Sequence, residues 1–158
     1  MNAFEEVYLL YFDDVYRFAL SLCGNSSLAE EIAQETFFKA FKKIDTFDGR
    51  SGIKTWLFTI AKNVFLNNVR FQKRFTDPES VPEAVSETDP LSSTTAKETT
   101  RQIYHVLHLL PDPYKEVFLL RYSGDLSFAD IGDVFGKSES WARVTYHRAR
   151  QKIKEALE

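Results

Sequence analysis

The sequence predicts an all-α fold, with two small helical domains joined by a flexible acidic linker. Apolar residues recur three and four positions apart along several long stretches, as on the buried side of a helix, and no stretch alternates like a strand. The segment 75–94 contains three prolines and many acidic and hydroxyl side chains, as expected of a linker. A length of 158 residues with 44% apolar content suits one ordinary domain or two small ones.

The first predicted domain, residues 1–74, contains three helices. Gly24 is expected to end the first helix, because glycine readily adopts the left-handed conformation found there. Ser27 and Glu30 have the spacing of a capping box at the start of the second helix. Glycines in the segment 48–52 predict a turn before the third. The three helices are expected at 4–22, from Ser27 to about Ile44, and at 53–72.

The second predicted domain, residues 95–158, contains four shorter helices. Pro111 should end the first of them, and Asp112 should cap the second with proline at its first position. Ser127 is expected to cap the third, and after a turn at Gly136 the fourth should start at Ser138 or Glu139. The four helices are expected at about 95–110, at Tyr114–Tyr122, at Phe128–Phe135, and from Ser138 or Glu139 to about Ala156.

The net charge of −3 conceals an uneven distribution. Residues 49–76 carry six basic side chains and no acidic one, and residues 136–158 carry six basic and three acidic ones. Acidic residues dominate residues 1–48 and 77–100. Two basic blocks separated by an acidic one favour two polyanion-binding surfaces, whereas ordinary solvated helix faces usually mix both signs.

The basic block at 49–76 has the features of a nucleic-acid-binding helix preceded by a loop. Its polar face combines lysine, arginine, asparagine and threonine, which bind phosphates and bases. Backbone N–H groups of the loop could hold a flipped base, and Phe47 either stacks on that base or fills the core. Trp56 is expected in the core. The polar face consists of Lys54, Thr59, Lys62, Asn63, Asn67 and Arg70.

The last two helices have the form of a helix–turn–helix, with Gly132 at the expected helix crossing. Arg143, His147 and Arg148 share one face of the final helix, from which arginine can read a guanine edge in the major groove. Two simpler interpretations remain open. The segment can be an ordinary helical hairpin, and Arg143 can pair with Glu139 one turn earlier.

No residue pattern indicates an enzyme, and no cofactor, metal or small-molecule substrate is expected. His105 and His108 have a metal-chelating spacing but no third ligand nearby. The single cysteine, Cys23, is expected to be a small apolar filler. The acidic N-terminus does not resemble a secretory signal and no stretch is long enough to span a membrane, so we expect a cytoplasmic protein without membrane insertion.

Two segments resemble one protein family. The stretch LAEEIAQETFFKAFKKIDTFDGRSGIKTWLFTIAKNVFLNNVR resembles region 2 of the extracytoplasmic-function (ECF, group IV) sigma factors, which belong to the sigma-70 family. The stretch LPDPYKEVFLLRYSGDLSFADIGDVFGKSESWARVTYHRARQKI is similar to region 4 of the same class. The resemblance implies a sigma factor, not an enzyme, that binds core RNA polymerase and starts transcription at specific promoters.

The resemblance also implies partners and residue roles. Region 2 would dock on the β′ clamp helices, and residues 111–122 of region 4 would lie by the β flap. Relatives are held by an anti-sigma factor, often membrane-anchored, until a stress arrives. Polymerase binding would involve Glu31, Gln34, Glu35 and Phe38. Contacts to the −10 promoter DNA would involve Phe47, Asp48, Gly49, Arg50, Ser51, Lys54, Thr59, Lys62, Asn63, Asn67 and Arg70. Contacts to the −35 DNA would involve Ser138, Ser140, Arg143, Val144, His147, Arg148 and Arg150.

The chain departs from the family pattern at several positions. Glu31 stands where the family usually has aspartate. Trp141 and Ala142 replace a usual Thr-Val pair, and Val144 and Thr145 replace Ser-Arg, which removes one basic contact. The rival interpretations are a self-sufficient helix–turn–helix repressor or activator, which needs a dimer and a palindromic site, and a small helical metalloenzyme using the two histidines.

Overall fold

A computed structural model of the chain describes residues 2–49, 52–72 and 94–158, with side chains described for 2–49, 52–68 and 101–158. All regular structure in these ranges is helical, which confirms the all-α class. Residues 75–93 of the predicted linker lie outside the described residues. The helices are α1 (Ala3–Cys23), α2 (Ser26–Lys43), a 3-10 turn (Ile44–Thr46), α3 (Ile53–Gln72), α4 (Thr94–Leu109), α5 (Tyr114–Tyr122), α6 (Phe128–Phe135) and α7 (Glu139–Leu157).

Two asparagines, not the predicted serine, cap the first two helices. Asn2 forms a capping box with Glu5 at the start of α1. Gly24 ends α1 in the left-handed conformation with φ of 69°, as predicted. The Asn25 side chain then accepts the Leu28 N–H at 2.9 Å and caps α2. The predicted capping box of Ser27 and Glu30 is therefore wrong, because α2 begins earlier and Ser27 already lies inside its first turn.

The observed N-caps of the C-terminal helices agree better with those expected from the sequence. Ser127 accepts the Asp130 N–H at 3.1 Å, and Ser138 accepts the Trp141 N–H at 3.0 Å. The predicted cap at Asp112 is wrong: α5 begins at Tyr114, as expected, but its N-cap residue is Pro113 and no side chain caps it.

Aromatic contacts hold each set of helices together. In the N-terminal set, Phe18 of α1 meets Phe58 of α3 edge to face, with ring centroids 5.0 Å apart. In the C-terminal set, Phe118 of α5 stacks on Tyr146 of α7 at 5.6 Å. Such pairs add to the stabilisation gained by burying the rings. No helix in the part of the chain that the structure describes is long and apolar enough to cross a membrane.

The helix–turn–helix depends on a close backbone approach at Gly132. A Cβ atom there would lie 2.7 Å from the Lys137 carbonyl oxygen and 2.8 Å from that of Ser138. Any larger residue would push the turn away from α6. Gly136 follows with φ of 66°, so the chain reverses at the residue the sequence predicts.

The N-terminal and C-terminal helices also pack against each other. Helix α3 lies against α6, and α1 lies against α5. A Cβ atom at Gly124 would come within 3.3 Å of the Phe58 ring, which is fully buried. Buried apolar side chains of both halves thus form one continuous cluster. The linker composition gave no indication of this contact.

Candidate nucleic-acid interface

The loop before α3 presents a partly buried aromatic ring beside an exposed turn. The Phe47 ring packs on Trp56, with centroids 5.1 Å apart, and both side chains are half-buried. Asp48 and Gly49 are exposed, and Gly49 has φ of 78°. Arg50 and Ser51 lie outside the described residues. A base could reach this turn, but Phe47 is already engaged by Trp56 on one side.

Helix α3 presents two exposed amides. Asn63 and Asn67 lie one turn apart and point to solvent. Thr59, one turn earlier, is half-buried and its hydroxyl donates to the Thr55 carbonyl at 2.9 Å. The Lys54 ammonium lies 5.7 Å from the Phe58 ring centroid. The side chain of Arg70 lies outside the described part of the chain.

Lys62 is placed differently from the rest of the predicted −10 face. Its side chain is only 8% exposed, and its ammonium donates to the Val134 carbonyl of α6 at 3.1 Å. The ammonium also lies 4.3 Å from the Phe135 ring centroid. Burial lowers the pKa of Lys62, while the Glu116 carboxyl acts in the opposite direction. In this conformation Lys62 faces the C-terminal helices and not solvent.

Helix α7 presents a basic face to solvent. Arg143, Val144, His147, Arg148 and Arg150 are all exposed, as is Ser140 in the first turn. Ala142 and Ile153 are buried on the opposite side. This amphipathic division leaves one side of the helix free to enter a DNA groove.

Arg143 has two contacts within its own domain. Its guanidinium donates to the Glu139 carboxylate at 3.0 Å and lies 5.3 Å from the Phe128 ring centroid. The pairing considered as the simpler alternative is therefore present. The side chains of Arg143 and Glu139 are 50% and 55% exposed. An exposed ion pair contributes about 0–1 kcal/mol to stability, so a phosphate or guanine could replace Glu139 as the partner of Arg143.

Trp141 belongs to the scaffold of the helix–turn–helix. It is half-buried, and its ring lies 5.3 Å from that of Phe135 on α6. The bulky side chain that departs from the family pattern is thus packed between the two helices. Its first effect is on their packing, and the exposed side chains of α7 remain available for base contacts.

The predicted polymerase-binding residues form an exposed strip on α2. Glu31, Gln34, Glu35 and Phe38 all face solvent, and Phe38 is 59% exposed. Phe41 is 56% exposed, although its spacing along α2 continues the apolar side of the helix. The Phe41 ring instead meets Phe4 near the start of α1, at 5.0 Å. Two exposed rings one turn apart are typical of a protein-binding surface.

A buried charged cluster lies on α4 and α5, beside the N-terminal helices. Lys115 Nζ lies 3.3 Å from His108 Nδ1 and 5.1 Å from the Phe65 ring centroid of α3. Burial, followed by the positive Lys115, lowers the pKa of His108 to about 4. Burial raises the pKa of Glu116 to about 8, assisted by a hydrogen bond to Asp112. A cation beside His108 disfavours the metal site considered from the sequence.

Comparisons with known proteins point to the same family for both halves of the chain. The chain matches the family models of Sigma-70 region 2 over residues 7–75 and Sigma-70 region 4 over residues 100–153. It is 32% identical over 151 residues to the ECF RNA polymerase sigma factor SigM of Bacillus subtilis, covering 95% of this chain and 92% of SigM. It is also 32% identical over 163 residues to the RNA polymerase sigma factor YlaC of the same organism, covering 99% and 92%.

Solved structures show the same fold. One is the sigma factor RpoE in complex with the anti-sigma factor NepR from Bartonella quintana, with a TM-score of 0.83, 26% identity and coverage of 99% and 98% of the two chains. Another is CnrH in complex with the cytosolic domain of CnrY, with a TM-score of 0.71 over 98% of this chain and 87% of that one. At 22% identity, the second supports the fold alone.

Proposed function

The chain belongs to the extracytoplasmic-function sigma factors of the sigma-70 family, and from this premise we propose how it directs RNA polymerase to promoters. One observation carries the proposal. The chain contains a capped helix–turn–helix whose last helix, α7, exposes three arginines, and it also contains a second helix, α3, that bears amides and lysines. Two DNA-binding helices suit a factor that reads two promoter boxes. Binding of the first box makes binding of the second intramolecular.

We assign the C-terminal helices to the −35 box. The first turns of α7 enter the major groove, where Arg143 and Arg148 contact base edges or adjacent phosphates. The part of α7 that enters the major groove is also lined by Ser138, Ser140, Val144 and His147. Arg150 contacts phosphate. The domain responsible spans residues 95–158.

We assign residues 1–74, which contain α1–α3, to the −10 box and to polymerase. Asn63 and Asn67 face the DNA, with Lys54, Thr59 and Arg70 along the same helix, and residues 47–51 capture a base. The exposed strip on α2, with Phe38 at its centre, docks on the β′ clamp helices. Phe41 extends this strip. Residues 111–122 contact the β flap.

The same proposal covers regulation and location. The structural relative RpoE is bound by an anti-sigma factor, and we infer that a comparable protein covers this chain until a signal releases it. Since the function requires core polymerase, the protein acts in the cytoplasm. It contributes promoter recognition and no catalytic group, because the polymerase performs the chemistry.

Transcription with purified components tests the proposal. Core polymerase with this chain should start transcription from promoters having paired −35 and −10 boxes, and core polymerase alone should not. A repressor or activator would instead bind a palindromic duplex as a dimer without polymerase. Specific dimeric binding, combined with no promoter-specific transcript from a genomic promoter library, would refute the assignment.

A further inference from the structure

One stripe of α3 is covered by the C-terminal half of the chain. Phe58, Lys62 and Phe65 lie on the same side of the helix, at spacings of four and three. The Phe58 ring meets Gly124, the Lys62 ammonium meets Val134, and the Phe65 ring lies under the Lys115 ammonium. Three successive turns of a helix assigned to the −10 DNA are therefore engaged by the other half.

The Lys62 contact is a specific one. Val134 is next to the last residue of α6, so its carbonyl has no partner within that helix. The Lys62 ammonium satisfies this carbonyl and places a positive charge at the negative end of the helix dipole. The Phe135 ring covers the same ammonium at 4.3 Å. Lys62 thus caps the first helix of the helix–turn–helix from the opposite half of the molecule.

A lysine is a costly choice for this buried position. An apolar side chain of the same length would fill the space without removing an ammonium from water, and the lowered pKa of Lys62 reflects that removal. The same ammonium is one of the groups expected on the −10 phosphates. It cannot cap α6 and contact DNA at the same time.

We propose that Lys62 is an intramolecular lock: by capping α6 it holds the free chain closed, and the cap withholds its ammonium from the −10 DNA while Asn63 and Asn67 of the same helix stay exposed. The DNA side of this inference rests on the function proposed above, whereas the closed state itself does not. Release of Lys62 from Val134 makes its ammonium available to DNA and weakens the contact between the two halves.

The closed state is tested on the full chain alone, without DNA or polymerase. Spin labels on cysteines at the exposed positions Asp13 and Lys137, in a Cys23→Ala background, report the distance between the halves by pulsed electron paramagnetic resonance. Lys62→Met keeps the apolar stem and removes the ammonium. One charge-assisted hydrogen bond corresponds to about a tenfold change in an equilibrium, so the ratio of closed to open chains should fall at least about tenfold.

Lys54→Met is the matched control, because it removes a lysine from the same helix without touching α6. It should keep the wild-type distance distribution. If Lys62→Met also keeps that distribution, or if Lys54→Met opens the chain equally, there is no lock at Lys62. Circular dichroism of each variant confirms that the helices are intact before distances are compared.

Phe135→Leu removes the ring that covers the Lys62 ammonium and leaves Lys62 in place, so it weakens the lock without deleting the DNA contact. The free variant should open and should bind a dT oligonucleotide several-fold more tightly than wild type, while Lys62→Met should open without this gain. Opening of Phe135→Leu with unchanged oligonucleotide binding would show that the lock does not withhold Lys62 from DNA. A chain that opens as expected but supports no promoter-specific transcription would leave the lock intact and refute the proposed function instead.

Discussion

Replacing Glu116 by glutamine should remove a pH dependence from the stability of the fold. Glu116 is 2% exposed, and its Oε2 has no hydrogen-bond partner among the residues that the structure describes. Burial raises its pKa from 4.5 to about 8. Below pH 4.5 the carboxyl is protonated in the folded and unfolded chains alike. Above it, the unfolded chain releases a proton that the folded chain keeps, so stability falls as the pH rises towards 8.

His108 acts in the opposite direction over a different range. Its pKa is lowered from 6.5 to about 4, so stability is lost as the pH falls from 6.5 towards 4. Between pH 4.5 and 6.5 the two effects nearly cancel, and from 6.5 to 8 Glu116 acts without His108. A fully linked proton changes the free energy of unfolding by about 1.4 kcal/mol per pH unit. Because Glu116 is partly ionised near pH 8, the free energy of unfolding should fall by about 1.5 kcal/mol between pH 6.5 and 8.

Urea unfolding at pH 6.5 and 8.0 measures this loss. Wild type should lose unfolding free energy between these two pH values, and Glu116→Gln should not. Glu31→Gln, which changes an exposed carboxylate, is the control and should lose as much as wild type. Burial lowers the pKa values of Lys62 and Lys115 and the Glu116 carboxylate opposes this, so the difference between wild type and Glu116→Gln reports the titration of Glu116 together with its coupling to these two lysines. An equal change in wild type and Glu116→Gln would show that the buried carboxyl is not the group that titrates.

Three further outcomes follow from the site. Arg143→Ala should reduce −35 selectivity roughly 5- to 100-fold, the equivalent of about 1–3 kcal/mol for a bidentate contact to guanine; an unchanged preference in a transcribed promoter library would leave Arg143 with only its Glu139 pairing. Phe38→Arg should weaken capture of core polymerase at unchanged helicity, and retention equal to that of wild type would remove α2 from the polymerase interface. Gly132→Ala should cost about 1–3 kcal/mol of unfolding free energy, because its Cβ would lie 2.7 Å from the Lys137 carbonyl oxygen; an unchanged melting temperature would contradict that close packing.

Much of the fold could be predicted because local signals determine it. Gly24, Ser127 and Gly136 each fix a helix end through backbone conformation or a single side-chain hydrogen bond, and all three act as the sequence indicates. The first residue of α2 was mispredicted because Asn25 and Ser27 are both good caps, and a one-dimensional pattern does not decide between them.

The candidate site was predictable only in part. The exposed residues of α7 follow from helical periodicity, because the opposite face of the same helix carries the buried Ala142 and Ile153. The burial of Lys62 does not, since it depends on a carbonyl 72 residues away in sequence. Phe41 shows the converse: an aromatic ring at a core spacing is largely exposed, and the ring it meets, Phe4, lies at the start of α1. Long-range packing decided both cases.

The two exposed rings on α2 affect how the protein behaves in solution. Phe38 and Phe41 offer an apolar area that can pair with the same area on a second molecule. The chain as a whole has a net charge of −3, so two molecules repel each other in dilute buffer. Salt screens this repulsion over about 10 Å at 0.1 M and leaves the apolar attraction in place. Purified chain without a partner should therefore self-associate more as the ionic strength rises, contrary to the usual effect of salt on charge-driven aggregates.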